Sequence, residues 1–270
     1  MIHLQAINYL GNPNGEYPFS LPIIANLSNV SFEAPITFFV GENGSGKSTL
    51  LEGMAAMIKL PVIGSMPIAD DPSLINARTL AKQLKPKWQS KPQRGFFLRA
   101  EDFFGFVKGI NQQRQDLIKD MMEAEAEAEH RGASSYAVSM AKMPYQGGIA
   151  ALSERYGVDL DAASHGESFL KLLKTRIVKS GLYLLDEPEA ALSPMRQLAL
   201  IALLQRFIKE ENCQFIIATH SPILLAFPQA QIMLFEASNL QQVKYDDLEH
   251  VSFTRDFLRD PQVFLRFLSD

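Results

Sequence analysis

The stretch GENGSGKST at residues 41–49 combines glycines, a lysine and hydroxyl side chains at the spacing G-x-x-x-x-G-K-[ST]. It lies between an apolar run that predicts a buried strand and a segment that predicts a helix, which is the context this pattern requires. Glycines let consecutive backbone N–H groups turn towards phosphate oxygens, and the helix adds its positive N-terminal end. The residues predicted to bind a nucleotide are Gly41, Glu42, Asn43, Gly44, Ser45, Gly46, Lys47, Ser48 and Thr49.

Two neighbouring side chains have separate predicted roles in this loop. Lys47 is long enough to reach the β- and γ-phosphates of ATP as a point charge, and the Ser48 hydroxyl can bind Mg²⁺. The predicted ligands of this site are therefore ATP and Mg²⁺.

A second polar cluster follows the apolar strand predicted at 182–186, in the stretch LYLLDE. Asp186 at the strand end is predicted to hold the Mg²⁺ shell. Glu187 follows it and can orient a water for in-line attack on the γ-phosphate. A solvated strand edge is the alternative interpretation of two adjacent acids.

The next predicted strand, 214–219, ends in the stretch THSP. His220 would project from the strand end, where it could hold the attacking water or sense the terminal phosphate. A capping or packing role is the alternative for a single histidine. Ser221 and Pro222 suit the N-cap and first turn of a short helix.

The polar stretch SHGES at 164–168 opens another predicted helix, at about 166–179. Ser164 and Glu167 have the spacing of a capping box, which accounts for the stretch in purely structural terms.

Strands and helices alternate along much of the chain, which predicts a parallel sheet with helices on its faces and ligand sites beyond the carboxyl strand ends. Residues 61–95 are rich in Pro, Lys and Gln and are predicted to be mostly loop. Residues 102–152 are predicted to be helical but irregular, without the sustained heptads of a long coiled-coil arm.

Composition excludes several classes of protein. The net charge of -4 and a pI near 5.8 argue against binding nucleic acid or membrane through bulk charge. Cys213 is the only cysteine, so we expect neither an intrachain disulfide nor a Cys-based metal site, and a cytoplasmic location. No signal peptide is read at the N-terminus, and the run LALIALL is too short to span a bilayer, so no direct membrane insertion is expected.

Together these motifs resemble the ABC-type ATPase superfamily, and more narrowly the small stand-alone ATPases related to the SMC and recombination-repair ATPases. The resemblance extends through GFFLRAEDFF, GLYLLDEPEAALSP, QFIIATHSPILL and FLRDPQVFLRFL. It implies an α/β P-loop NTPase fold with an ABC-type head, in which a mostly parallel central sheet is joined by an antiparallel β-subdomain and a helical subdomain. One domain would span 1–270, with a helical insertion at about 102–165.

The resemblance also implies a homodimer that closes on two ATP molecules. SHGES stands where such ATPases carry a signature motif, so Ser164, Gly166 and Glu167 would act on the nucleotide of the opposite subunit. The stretch ALSP at 191–194 matches the loop that runs along the dimer seam. Glu101 lies where a glutamine is expected and is the candidate for a metal or water contact; a simple loop carboxylate is the alternative.

We therefore expect an Mg²⁺-dependent ATPase that acts as a switch for an effector protein or a DNA-associated process. Alternatives are the nucleotide-binding subunit of a membrane transporter and a small-molecule kinase. Two further segments have open interpretations. The basic segment at 82–94, which surrounds Trp88, is a solvated loop or a nucleic-acid contact. The apolar residues of 254–270 pack into the core or dock an effector, and they are Phe257, Val263, Phe264, Phe267 and Leu268.

Overall fold

The computed structural model describes residues 1–11, 15–63, 74–156 and 165–266. Its strands are β1 (Leu4–Tyr9), β2 (Asn29–Ser31), β3 (Ile36–Gly41), β4 (Leu84–Trp88), β5 (Arg94–Arg99), β6 (Gly181–Asp186), β7 (Gln214–Ala218), β8 (Gln231–Glu236) and β9 (Asn239–Val243). Its helices are α1 (Pro22–Ala25), α2 (Lys47–Ile58), α3 (Ile75–Ala81), α4 (Ala100–His130), α5 (Ser135–Tyr156), α6 (His165–Arg176), α7 (Pro194–Glu211), α8 (Pro222–Leu225), α9 (Glu249–Arg259) and α10 (Pro261–Leu265).

A six-stranded sheet has the order β5-β6-β7-β3-β8-β9. The first five strands are parallel, and β9 pairs antiparallel with β8 as a hairpin. The prediction of a mostly parallel central sheet is thus confirmed. Because β6, β7 and β3 are neighbours in the same direction, their carboxyl ends bring the phosphate-binding loop and the two polar strand ends to one edge.

A separate three-stranded antiparallel sheet has the order β2-β1-β4. The prediction that 61–95 is mostly loop is wrong, because α3, β4 and the start of β5 all lie in this range. In β4 the buried Leu84 alternates with the exposed Lys85 and Lys87. Pro86 is compatible with this strand because β4 is at the sheet edge, where one row of backbone groups needs no partner.

Helix α2 is the centre of the main hydrophobic core. Its Leu50, Leu51 and Met54 are fully buried in a cluster that also takes side chains from β1 of the small sheet and from β6 and β7 of the large one. Burial of this kind contributes about 2 kcal/mol for each large aliphatic side chain. The N-terminus of α2, where the phosphate-binding loop ends, is therefore held by packing on both sheets.

The chain divides into two compact units, Met1–Ala100 with Ile177–Asp270, and Glu101–Arg176. The first contains both sheets. The second contains α6 and nearly all of α4 and α5, and it overlaps the helical insertion predicted at about 102–165.

Helices α4 and α5 are longer and more regular than predicted, with 31 and 22 residues. They run antiparallel, since Lys142 Nζ donates to Glu125 Oε1 at 2.6 Å and Gly148 lies against Leu117. Glutamates four residues apart in 123–129 repel one another, and cations offset this repulsion, because Glu125 pairs with Lys142 and Glu127 pairs with Arg131. A short helical hairpin therefore forms without heptads.

Candidate functional site

The phosphate-binding loop turns between β3 and α2, as the sequence predicts. Gly46 caps α2 with φ +97°, in the left-handed region that favours glycine. A Cβ at this position would come within 2.6 Å of Ile23 Cγ2. Both the backbone conformation and the neighbouring α1 therefore require a glycine here.

Lys47 is only 4% exposed and folds over its own loop. Its Nζ donates to the carbonyl oxygens of Gly41 and Glu42, each at 2.8 Å. Burial lowers the pKa of Lys47, while the carboxylates of Glu187, Asp186 and Glu189 oppose that shift. A cation thus stands at the edge of the sheet among three acids.

Ser48 and Asp186 meet across this edge, where the Ser48 hydroxyl donates to Asp186 Oδ1 at 3.1 Å. Asp186 is 7% exposed. Burial raises its pKa to about 7, the Ser48 hydrogen bond lowers it, and the nearby Glu187 carboxylate raises it further. The charges around Asp186 do not offset the burial of its carboxylate. The Asp186 carboxylate and the Ser48 hydroxyl oxygen together therefore suit a hard cation such as Mg²⁺.

Arg99 occupies the end of β5 beside Asp186, which is its register partner on β6. Its Nη1 donates to Glu52 Oε1 at 3.2 Å. Glu52 raises and Arg99 lowers the pKa of Asp186. Neither residue stands out in the sequence, because their proximity depends on the β5–β6 register and on packing of α2.

Glu187 follows β6 with φ +48° and ψ +50°, a left-handed conformation that is uncommon outside glycine. Its N–H donates to the Ala218 carbonyl of β7 at 2.9 Å. The side chain is 48% exposed, so the carboxylate reaches solvent at the strand ends.

His220 faces Glu187 across the two strand ends, with 3.7 Å between His220 Nε2 and Glu187 Oε1. Burial and then the positive charge of Lys47 lower the pKa of His220, against the opposing effect of Glu187. The imidazole is therefore neutral at pH 7. Within the described residues its Nε2 has no hydrogen-bond partner, which leaves that nitrogen able to bind a small polar ligand.

The loop that carries His220 is fixed from both ends. Ser221 caps α8 by accepting from Leu224 N at 3.1 Å, which confirms the predicted N-cap. On the other side, Glu189 Oε1 accepts from the His220 backbone N–H at 2.7 Å. Glu189 was not singled out by sequence reasoning; its place in the acidic stretch DEPE was the available signal.

Tyr17 is a further residue missed by sequence reasoning. Its hydroxyl lies 3.2 Å from Thr49 Oγ1, and the residue is 52% exposed beside the phosphate-binding loop. It lies in the turn-forming segment that the sequence offered no reason to connect with the nucleotide.

The predicted signature residues belong to the second unit. Ser164 lies outside the described residues, whereas Gly166 is buried and Glu167 is exposed in the first turn of α6. Glu101 is exposed in the first turn of α4. The roles assigned to these residues, in the opposite subunit or at the metal, remain predictions.

The two peripheral segments are also placed by the structure. Trp88 is half-buried and packs against the core, and a nucleic-acid contact at 82–94 remains a prediction. The cations around it are exposed, and they are Lys82, Lys85, Lys87, Lys91 and Arg94. Phe257 and Phe264 form an aromatic cluster with Phe253, while Val263 is 42% exposed. Phe267 and Leu268 lie outside the described residues.

Two family models match parts of the chain. One, described as an AAA ATPase domain, covers residues 165–225, and the other, described as an AAA domain, covers residues 20–59. The matched segments contain the phosphate-binding loop, both polar strand ends and helix α6.

Curated relatives come from two kinds of protein. The cobalt import ATP-binding protein CbiO of Salmonella paratyphi A (strain ATCC 9150 / SARB42) is 24% identical over 253 residues, which cover 88% of this chain and 83% of that protein. The OLD nuclease of Thermus scotoductus (strain ATCC 700910 / SA-01) is 36% identical over 78 residues, which cover 29% of this chain and 14% of the nuclease.

Among solved structures, the Smc head domain from Pyrococcus furiosus, bound to the C-terminal domain of ScpA, aligns with a TM-score of 0.46 and 12% identity. The alignment covers 96% of this chain and 100% of that one, and at this level of likeness it carries no argument about function. The matched family models and the curated transporter relatives are those of ATPases of the ABC/AAA type, to which this chain is similar in its phosphate-binding loop and its acidic strand end.

Proposed function

We propose that the chain hydrolyses ATP with Mg²⁺ and uses the reaction as a switch for a partner effector or a DNA-associated process in the cytoplasm. The observation that carries the hydrolytic part is the Glu187–His220 pair, 3.7 Å apart at the strand ends. It lies near Lys47, whose charge perturbs His220 and whose loop fits phosphates.

Mg²⁺ has a suitable place in this proposal. Ser48 Oγ and Asp186 Oδ1 are 3.1 Å apart and supply one hydroxyl and one carboxylate, and Mg²⁺ completes its shell with water and phosphate oxygens in such sites. When bound, the ion neutralises charge on the β- and γ-phosphates. The chain's own contribution is to hold the ion through an acid whose burial otherwise disfavours ionisation.

Glu187 and His220 each contact the attacking water in this proposal. Glu187 is sufficiently exposed to accept a proton from water, and the neutral His220 offers Nε2 as a second hydrogen-bond contact. Lys47 moves from its loop carbonyls to the phosphates when nucleotide binds. Together these groups orient a water towards the γ-phosphate, which is the main task of an enzyme that catalyses phosphoryl transfer to water.

Phosphate release from purified protein tests the hydrolytic proposal. With ATP and Mg²⁺ and no added acceptor, we expect sustained release that stops on exhaustive chelation and resumes on adding Mg²⁺. Full activity after chelation would refute the metal requirement. Release that occurs only after an acceptor is added would favour the small-molecule kinase.

We further propose that two copies close on two ATP molecules, with Ser164, Gly166 and Glu167 of each copy acting on the opposite nucleotide. The support is the resemblance of SHGES to a signature motif, whose residues 165–168 form the first turn of α6, the helix end that favours negative charge. A ligand that binds only the closed dimer stabilises it by mass action. The Glu187→Gln variant should therefore form dimers in saturating ATP, as measured by solution mass, and a strictly monomeric variant would contradict the proposal.

A transporter subunit is the second candidate, favoured by the similarity to CbiO across 88% of this chain. None of the helices in the described part of the chain is both long and apolar enough to cross a bilayer. A transport role would thus require a separate membrane protein. Purification of the tagged chain from its own cells decides between these candidates, since a stoichiometric integral membrane protein would favour transport and a soluble effector or nucleic acid would favour the switch.

A further inference from the structure

We propose that Glu189 is a positioning residue, which fixes His220 beside Glu187 by holding the backbone of the β7–α8 loop. The inference rests on the proposed ATP hydrolysis and adds a residue to it. Glu189 acts through His220 and need not touch the nucleotide.

Glu189 lies in a short 3₁₀ turn, Pro188–Ala191, directly after Glu187. Its Oε1 accepts from the His220 N–H at 2.7 Å, and the side chain is partly buried beside the strand ends. The carboxyl group thus holds the backbone of the loop that leads out of β7. At 2.7 Å this contact is at the short end of the range for N–H···O hydrogen bonds, so it is well suited to fixing a loop.

The neighbouring backbone groups show why this contact controls His220. Thr219 N–H donates to the Phe39 carbonyl of β3 at 3.1 Å, and Ser221 N–H donates to Thr219 Oγ1 at 3.0 Å. The N–H of His220 lies between these two anchored positions and points to Glu189. Without that acceptor, the peptide that orients the imidazole loses its fixed direction.

The β6 side of the site is tied to the same loop by a second contact. Glu187 N–H donates to the Ala218 carbonyl at 2.9 Å, so the backbones that carry Glu187 and His220 are joined both before and after the strand ends. The 3.7 Å separation of their side chains depends on both links. Since a shift of about 1 Å in a reacting group can cost about 100-fold in rate, losing one link should be visible in catalysis.

Removing the acceptor should change turnover more than nucleotide binding. We expect Glu189→Ala to lower kcat about 10–100-fold, while KM for ATP changes less than about 3-fold, because Lys47 and the loop backbone remain. Glu189→Gln keeps an oxygen at the same reach, and should retain kcat within about 3-fold of wild type.

A double-mutant cycle separates positioning from a general effect on the fold. If Glu189 acts through His220, adding Glu189→Ala to His220→Ala should cause no further loss of kcat. Losses that multiply in the double variant would overturn the proposal, as would a Glu189→Gln variant as slow as Glu189→Ala. Unchanged kcat in Glu189→Ala would also overturn it.

The His220 imidazole signal in NMR spectra reports position without relying on catalysis. Assigned by its loss in His220→Ala, it should shift in Glu189→Ala and return towards its wild-type position in Glu189→Gln. An unmoved signal in Glu189→Ala would refute positioning. If the signal moves while His220→Ala hydrolyses ATP at the wild-type rate, positioning stands and the catalytic role proposed for His220 fails.

Folding of each variant is checked by its thermal midpoint and by ATP binding. If Glu189→Ala does not fold, Glu189→Asp replaces it, because the shorter side chain keeps the charge and withdraws the acceptor from the His220 N–H. It should also lower kcat and move the imidazole signal. Wild-type kcat with an unmoved signal in Glu189→Asp would then contradict the proposal.

Discussion

Asp186 should make the ligand-free protein less stable as pH rises. Its pKa is raised from 3.8 to about 7 by burial, so the folded state retains its proton over a range in which the unfolded state has lost it. Stability falls with pH wherever the folded state binds more protons. The contribution of Asp186 is thus fully present below pH 4 and is lost as pH rises through 7.

The isosteric Asp186→Asn variant removes this dependence. From the two pKa values, ionisation of Asp186 lowers the free energy of unfolding by about 1.2 × 1.4 kcal/mol at pH 5 and by about 3.2 × 1.4 kcal/mol at pH 8. The advantage of Asp186→Asn over the wild type should therefore grow by about 3 kcal/mol between these pH values. The amide also keeps an oxygen that can accept the Ser48 hydrogen bond.

The assay is urea unfolding of both proteins at pH 5 and pH 8, without nucleotide and with chelator present. Other carboxylates titrate equally in both proteins and cancel in the comparison. An advantage that does not grow with pH would refute the assignment of a buried, uncompensated acid at position 186. Mg²⁺ with ATP should selectively restore the wild type at pH 8, because only the carboxylate gains from the cation.

Three further predictions concern the same site. Lys47→Ala should weaken ATP binding itself, by at least about 10-fold in a direct binding assay, and unchanged affinity would remove Lys47 from the phosphate contacts. Tyr17→Ala should raise KM for ATP with kcat nearly unchanged, since the Tyr17 hydroxyl contacts Thr49 of the phosphate-binding loop; equal effects on both constants, or none, would contradict this. Mixing Ser164→Arg with Lys47→Ala should recover phosphate release, because one composite site of the heterodimer is intact; no recovery despite proven subunit exchange would count against a shared site.

The residues proposed for catalysis could be predicted because their signals are local. A glycine-rich turn between a strand and a helix, and acids directly after an apolar run, can be recognised without knowing the fold. The parallel-sheet rule then predicts that such strand ends meet, and the β6-β7-β3 order bears this out.

Glu189 and Arg99 could not be predicted in the same way. Glu189 matters through a hydrogen bond to a backbone 31 residues away, and Arg99 through its register opposite Asp186. Neither contact leaves a periodic signal in the sequence. Their significance depends on tertiary contacts, which local sequence patterns do not predict.

The errors elsewhere in the fold have a similar cause. Strand β4 was missed because a proline between lysines resembles a loop, and only pairing with β1 shows it to be an edge strand. Helices α4 and α5 were predicted as irregular because the sequence has no sustained heptads, whereas contacts between the two helices, such as Lys142 with Glu125, hold them together. In both cases long-range contacts outweighed local preference.

The rate of ATP hydrolysis by Glu187→Gln tests the central claim most directly, compared with the wild type and with Glu210→Gln, which removes an exposed carboxylate on α7. The amide keeps the shape of the side chain and loses the base. We expect ATP binding within about 3-fold of wild type and turnover reduced about 10²–10³-fold, equivalent to roughly 3–4 kcal/mol of transition-state stabilisation, while Glu210→Gln remains fully active. If Glu187→Gln binds ATP and hydrolyses it at the wild-type rate, Glu187 does not position the attacking water and this account of the site is wrong.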